Sequence, residues 1–175
     1  SREGLDDAVR MVLEKHESGD GFSTVLGSLA ELIEVSASDA PIVEAALERS
    51  LQAVVVESMA QMPNADELDT LPGRVTFLPA YGGIRAPSEF DPIAGMETIA
   101  GGGRVRSVRG LVQAKSTDPR VEALLDRLLA RTVVVGDLDA AMLLDAGPMR
   151  AMGMRYVTHA GVVVEPDGQV VAGPA

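Results

Sequence analysis

Seventeen residues, Pro41 to Glu57 (PIVEAALERSLQAVVVE), return with nine identities as Pro119 to Val135 (PRVEALLDRLLARTVVV). An internal repeat of this kind restricts the chain to folds built from two related half-domains. Both copies open on proline, which suits a helix's first turn because its missing N–H has no partner to lose there. In the second copy Val121, Leu124, Leu125, Leu128 and Leu129 fall at i, i+3, i+4, i+7 and i+8, one apolar stripe on a helix. Each copy then enters a valine run, Val54 to Val56 and Val133 to Val135. Stiff β-branched side chains without polar alternation predict a strand buried on both faces. Each copy therefore reads as a helix feeding a buried strand, and the fold class that follows is mixed α/β. Pseudo-symmetric halves are often built to pack on each other or on a partner.

The 175 residues suit one domain of two lobes that buries about two-thirds of its unfolded surface. There is no cysteine, which excludes a disulfide framework, a thiol nucleophile and the usual zinc sites, and which favours a reducing cytoplasm. No apolar run approaches the ~18–20 residues of a membrane span, and no basic-then-apolar signal opens the chain. The chain starts on serine and stops at VVAGPA without a capping element, as an excised piece of something longer would. A formal net charge of -11 argues against a surface that grips phosphate everywhere. Aromatics make up only 3% of residues and tryptophan is missing, so platforms for stacking bases are scarce as well. Any contact with DNA must be local and blind to sequence.

Taken in order, Leu5, Val9, Val12 and His16 keep the a/d rhythm of a coiled coil, with Asp6, Asp7, Arg10, Glu14 and Lys15 around them. The same spacing also fits an ordinary amphipathic helix packed on its own domain. Ser18 to Gly21 (SGDG) ends that helix by turn chemistry. Val25 to Val35 reads as a strand and a short helix, and Ser36, Ser38 and Asp39 are N-cap candidates for the first repeat helix. Ala60 to Leu71 predicts a polar helix interrupted at Pro63, and Gly73 to Pro79 a turn, a strand and a stop at the proline. Ala80 to Gly103, rich in glycine and proline, is the expected linker between halves. The second half repeats the plan with Arg104 to Ala114, the second repeat copy, a helix from about Asp137 to Leu144, and a strand Arg155 to Thr158. Val157-Thr158 echoes Val75-Thr76. Gly161 to Gly173 predicts a hairpin turning on Pro166-Asp167-Gly168.

Chemistry is sparse. His16 and His159 are the only imidazoles, far apart and without a G-x-S-x-G elbow near either. His159 reads as a packed or hydrogen-bonded structural histidine. Asp66, Glu67 and Asp69, like Asp137, Asp139 and Asp145, lack calcium-loop spacing and fit solvated helix faces or N-terminal charges, so no metal site and no cofactor is expected. Gly101-Gly102-Gly103-Arg104 is the candidate stretch for cradling a phosphate, and it lacks the G-x-x-x-x-G-K-[ST] pattern of a phosphate loop. Arg104, Arg106 and Arg109 form the only basic cluster, and on a strand the first two would share a face. DNA, if bound, is expected there; three solvated arginines offsetting nearby acids is the competing reading.

VLGSLAELIEV (Val25 to Val35), LQAVVVE (Leu51 to Glu57), GRVTFLP (Gly73 to Pro79) and RTVVVGDLDAAMLL (Arg131 to Leu144), in this order and followed by the hairpin, resemble the hinge domain of bacterial structural maintenance of chromosomes (SMC) proteins. The resemblance runs over nearly the whole chain. That family carries a glycine pattern, G-x6-G-x3-G-G, at its dimer interface; Gly161, Gly168 and Gly173 match it, and Ala172 replaces the third glycine. The resemblance implies the SMC hinge fold, with residues 1–17 the end of a coiled-coil arm, 22–79 the first lobe, 80–103 the linker and 104–175 the second lobe. It also implies a non-catalytic dimerisation hinge of a chromosome condensation and segregation ATPase, cytoplasmic and nucleoid-associated. The expected partners are an identical chain and, weakly, DNA; kleisin and ATP would be met only by parts of the protein outside this chain. Two other readings stay open on the residues alone. One is an enzymatic or small-molecule-binding α/β domain with a pocket between its lobes, and the other is a monomeric regulatory module.

Overall fold

A computed structural model describes residues 5–81, 96, 104–147 and 152–174. The chain falls into two units, each gathered from three separate stretches. Unit 1 comprises Ser1–Ile33, Arg49–Ile84 and Ala114–Leu124, and unit 2 comprises Glu34–Glu48, Arg85–Gln113 and Leu125–Ala175. Most of the expected linker, residues 82–95 and 97–103, lies outside the described residues, as does the glycine run at 101–103.

In unit 1, helix α1 (Asp7–Glu17) starts where the Asp6 carboxylate accepts the Ala8 N–H at 3.0 Å, and it ends at Ser18, whose N–H donates to Glu14 O. Its buried face is Ala8, Val9, Val12 and Leu13, the last three of which join Phe22, Val25, Val54 and Val56 in one core. The spacing that suggested a coiled coil is thus used, in these turns, for docking on the unit's own sheet. That sheet has the order β1-β3-β4. β3 (Val54–Ser58) lies at its centre, antiparallel to β1 (Val25–Ser28) with Ser28 opposite Val54, and parallel to β4 (Phe77–Tyr81) with Val55 opposite Leu78. Val54, Val55 and Val56 are each 0% exposed, as a strand covered on both faces requires.

Two expectations in this unit need correction. Pro79 does not stop the strand, because β4 runs on to Tyr81. Among the described residues β4 ends the sheet order, and an outer strand can carry a proline on the side turned away from its neighbour. After β1, helix α2 (Leu29–Leu32), boxed by Ser28 and Glu31, is followed by a further short strand, β2 (Ile33–Val35). The broken polar helix does form, as a 3-10 turn over Met59–Gln61 and helix α4 (Ala65–Asp69) on either side of Pro63.

Unit 2 holds helix α3 (Ala40–Leu47) and a five-stranded sheet in the order β10-β9-β8-β7-β5. β7 (Thr132–Val135) is antiparallel to β5 (Arg106–Ser107) and parallel to β8 (Arg155–Thr158), with Val134 opposite Val157. β9 (Val163–Val164) and β10 (Val170–Val171) then extend the sheet as an antiparallel hairpin. Helix α6 (Leu138–Ala146), capped by Asp137 accepting from the Ala140 N–H at 2.8 Å, puts Ala141 and Leu144 into a core with Met96, Val105, Val133, Val135, Met154, Tyr156 and Val164. Glu34 and Val35 of β2 form a two-stranded ribbon with Val112 and Gln113 of β6 (Val112–Ala114), and Gln113 Nε2 donates to Glu34 Oε2 at 3.3 Å.

The repeat is therefore a repeat of strand directions. Each central valine strand has an antiparallel neighbour on one side and a parallel one on the other. In this register Val157 answers Pro79, so the Val-Thr pairs at 75–76 and 157–158 are not equivalent positions. The helices diverge too. α5 (Pro119–Leu129) runs unbroken, whereas α3 stops at Leu47 and the chain turns through Glu48 at φ 45, ψ -118 into a 3-10 turn. Where α5 continues its apolar stripe with Leu128, the first copy has Ser50.

Candidate functional site

The glycine-bearing hairpin is built upward from β8. Gly161 N–H donates to Thr158 O at 2.9 Å and Thr158 N–H to Val162 O at 2.9 Å, a tight reversal in which Gly161 takes φ +82. The second reversal follows β9, where Gly168 N–H donates to Glu165 O at 3.0 Å and Glu165 N–H to Gln169 O at 2.8 Å. Gly168 sits at φ +93 there, a left-handed conformation that glycine adopts without strain. Gln169 donates to the Asp167 carboxylate through backbone and side chain, which holds that carboxyl below its ordinary value. A Cβ at Gly168 or Gly173 would meet nothing within 4 Å, and one at Gly161 only the Ala45 methyl at 4.0 Å. Inside the chain, then, these glycines answer to the backbone and not to crowding. Ala172 is exposed beside them.

A single side chain braces this hairpin from below. Arg155 on β8 clasps Glu165 with two bonds, Nε to Oε2 at 2.9 Å and Nη2 to Oε1 at 3.0 Å, and its Nη1 donates to Ala46 O at the end of α3 at 2.7 Å. Such paired charged bonds fix direction as well as distance. They anchor Glu165, from which the chain turns into β10, the last strand of the sheet among the described residues, whose Val170 and Val171 are 51% and 42% exposed. A strand with one unpaired edge and apolar side chains in water is a ready template for another strand. Sequence reasoning picked the glycines and passed over these two valines; their place in a GQVVAG run between turn residues was the available signal.

The basic cluster lies at the opposite edge of the same sheet. Val105 is buried, with Arg104 exposed before it and Arg106 half-buried after it on β5, so the first two arginines do alternate about a buried residue. Arg109 is engaged elsewhere. Its Nε donates to Asp126 Oδ1 at 2.7 Å and its Nη1 to Val112 O at 2.8 Å.

Among the described residues the two histidines lie in separate units of the fold. His16 is bonded to Phe22 O in unit 1, while His159, expected to be packed or hydrogen-bonded, is exposed in the turn after β8, which sets aside the packed alternative. Among the described residues no group of His, Cys, Asp and Glu is placed to hold a metal ion, and no helix is long and apolar enough to cross a membrane. A shallow open groove of about 480 Å³ in unit 2 is bordered by Glu34, Ser36 and Gln113, and the Ser36 hydroxyl donates to Asp39 Oδ2 at 3.0 Å in the turn before α3. Of the acids, Asp137 is a helix cap as expected, but Glu67 does more than face solvent, since it accepts the N–H of Phe22.

The family model for the flexible hinge domain of SMC proteins matches residues 22–144. Among solved structures, the chain is similar to the hinge domain of Geobacillus stearothermophilus SMC, crystallised as an asymmetric dimer, at 28% identity and a TM-score of 0.74, covering 99% of this chain and 67% of that one. It also shares its fold with the Pyrococcus furiosus Smc hinge with an extended coiled coil (24% identity, TM-score 0.66, 95% of this chain and 55% of that one). A cohesin structure showing a folded elbow has the same fold (21%, TM-score 0.64, 96% and 22%). This chain thus spans from about a fifth to two thirds of these structures. No curated protein matches it in sequence.

Proposed function

The chain belongs to the family of SMC flexible hinge domains, and on that premise we propose that it is the dimerisation hinge of a chromosome condensation and segregation ATPase, a structural joint and not a catalyst. Two copies meet through strand edges, β10 of one adding to a sheet edge in unit 1 of the other, so that each contact occurs twice about a two-fold axis. The observation that supports this most is the braced outer strand β10, with Val170 and Val171 in water beside glycines that leave its surroundings open. The Geobacillus hinge, crystallised as an asymmetric dimer, favours dimerisation as such. Gly161, Gly168, Ala172 and Gly173 keep the approach clear of side chains. Because two contacts tether one pair of molecules, the loss of either leaves the other holding at high effective concentration.

In this reading residues 1–17 are the end of a coiled-coil arm, 22–79 and 104–175 the sequence cores of the two lobes, and 80–103 their linker. The ATP-binding heads and a kleisin partner belong to parts of the protein outside this chain, and the whole works in the cytoplasm on the nucleoid. DNA is touched weakly and without sequence preference, through Arg104 and Arg106 more than through Arg109, which is already paired.

Val170→Lys tests the interface without straining the backbone, as Gly168→Lys would. The side chain is half exposed, so the chain still folds, but a lysine buried in both copies of the contact weakens the dimer about a hundredfold or more. Sedimentation velocity with matched circular dichroism reads both quantities. A folded Val170→Lys variant that dimerises like the parent would put the interface elsewhere.

A further inference from the structure

Phe22 is not glycine, yet it sits at φ +52, directly after Gly21 at φ +92. Its ring is 2% exposed among Val9, Val12, Leu13, Val25, Val54 and Val56. So bulky a residue stays left-handed only where its neighbours fix it. Here both of its backbone groups are held by side chains from other elements of unit 1. Its N–H donates to Glu67 Oε2 on α4. Its carbonyl accepts from His16 Nδ1 in the last turn of α1 at 2.8 Å, and from the Val25 N–H at the start of β1 at 3.1 Å. A carbonyl only accepts, so Nδ1 is the protonated ring nitrogen. The other Glu67 oxygen accepts the Asn64 N–H at 3.1 Å, and Asn64 Oδ1 accepts the Glu67 N–H at 2.8 Å, which steadies the carboxylate. A Cβ at position 21 would lie 3.1 Å from Glu67 Oε2, so the glycine there is what admits the carboxylate.

We infer that His16, Phe22 and Glu67 form a latch that fixes the C-terminal end of α1 to unit 1, with α4 as its stationary side. The buried face of α1 sets where the helix lies. The latch sets its end, where the Ser18, Gly19 and Asp20 amides bond back to Glu14, His16 and Lys15. Loss of either polar side chain frees residues 18–22 while the sheet stays formed, a local opening distinct from global unfolding. If α1 is the end of an arm, a reading taken from the preceding subsection, bending or twist in the arm enters the β1-β3-β4 sheet at this point. The latch itself stands without that reading.

Amide hydrogen exchange on the full chain tests it. The reporters are Ser18, Asp20 and Val25, none bonded to Glu67, and the reference is Val54, whose N–H donates to Thr76 O at 2.9 Å within the sheet. His16→Ala and Glu67→Ala should each speed exchange at the three reporters about tenfold or more with Val54 unchanged. The double variant should be no faster than the faster single one, because both act through Phe22. Glu67→Gln, which keeps an acceptor oxygen, should restore most of the protection. Additive effects, unmoved reporters, or equal acceleration at Val54 would each overturn the latch. Should Glu67→Ala fail to fold, His16→Ala against Val54 decides alone. Solution mass taken in parallel bears on the hinge reading and leaves the exchange result intact.

Discussion

Tyr156 is wholly buried in the core of unit 2, and its hydroxyl has no hydrogen-bond partner among the described residues. A phenolate there would lose its water, and Asp145 would repel it, so the group is pushed from 10.0 up to about 12. The folded chain keeps a proton that the unfolded chain releases. Stability from this group is therefore complete below pH 10.0 and is lost as pH rises towards about 12, by at most about 1.4 kcal/mol per pH unit. Tyr156→Phe removes the orphan hydroxyl at nearly constant shape. It should leave neutral-pH stability unchanged or raise it by up to about 1 kcal/mol and should abolish that alkaline slope in urea titrations; a variant as alkali-sensitive as its parent would refute the assignment. Glu48 makes a second residue-scale case. Its φ 45, ψ -118 conformation suits glycine, and strain of this kind costs roughly 1–3 kcal/mol. Against the extra freedom glycine gives the unfolded chain, Glu48→Gly should still gain about 1 kcal/mol. A lowered urea midpoint at constant slope would show that the turn is not strained.

At the scale of elements, the hairpin depends on Arg155. Arg155→Ala leaves Glu165 and the Ala46 carbonyl without this partner, at a cost of about 1–3 kcal/mol, and should loosen β9 and β10 before β7. Hydrogen exchange that rises at Val164 and Val171 but not at Val134 is the expected pattern; uniform change across the sheet would contradict it. The two valine strands, the second repeat helix and the hairpin were legible in the sequence because each has an apolar run bounded by turn residues, and period alone places those. The early end of α3 was not legible, since Glu48 is a good helix former and only its backbone reveals the break. Pro79 misled because a proline says nothing about whether its strand is central or outer. Among site residues the glycines were readable as a pattern, whereas Glu67 looked like any surface acid until the fold brought Phe22 to it. Contacts across 45 positions leave no local signature.

For the whole molecule, an acidic chain of net charge -11 can meet DNA only where positive charge is locally free. Replacing Arg104 and Arg106 by alanine should remove most low-salt DNA retention, while Arg109→Ala should act first on thermal stability through the lost Asp126 and Val112 bonds. Equal DNA retention by the Arg104 and Arg106 double variant would remove the cluster from consideration. Two copies joined through β10 scatter light as a particle of mass near twice 18.3 kDa, and that mass should persist for the parent chain across a dilution series; a mass of 18.3 kDa at every concentration would overturn the joint.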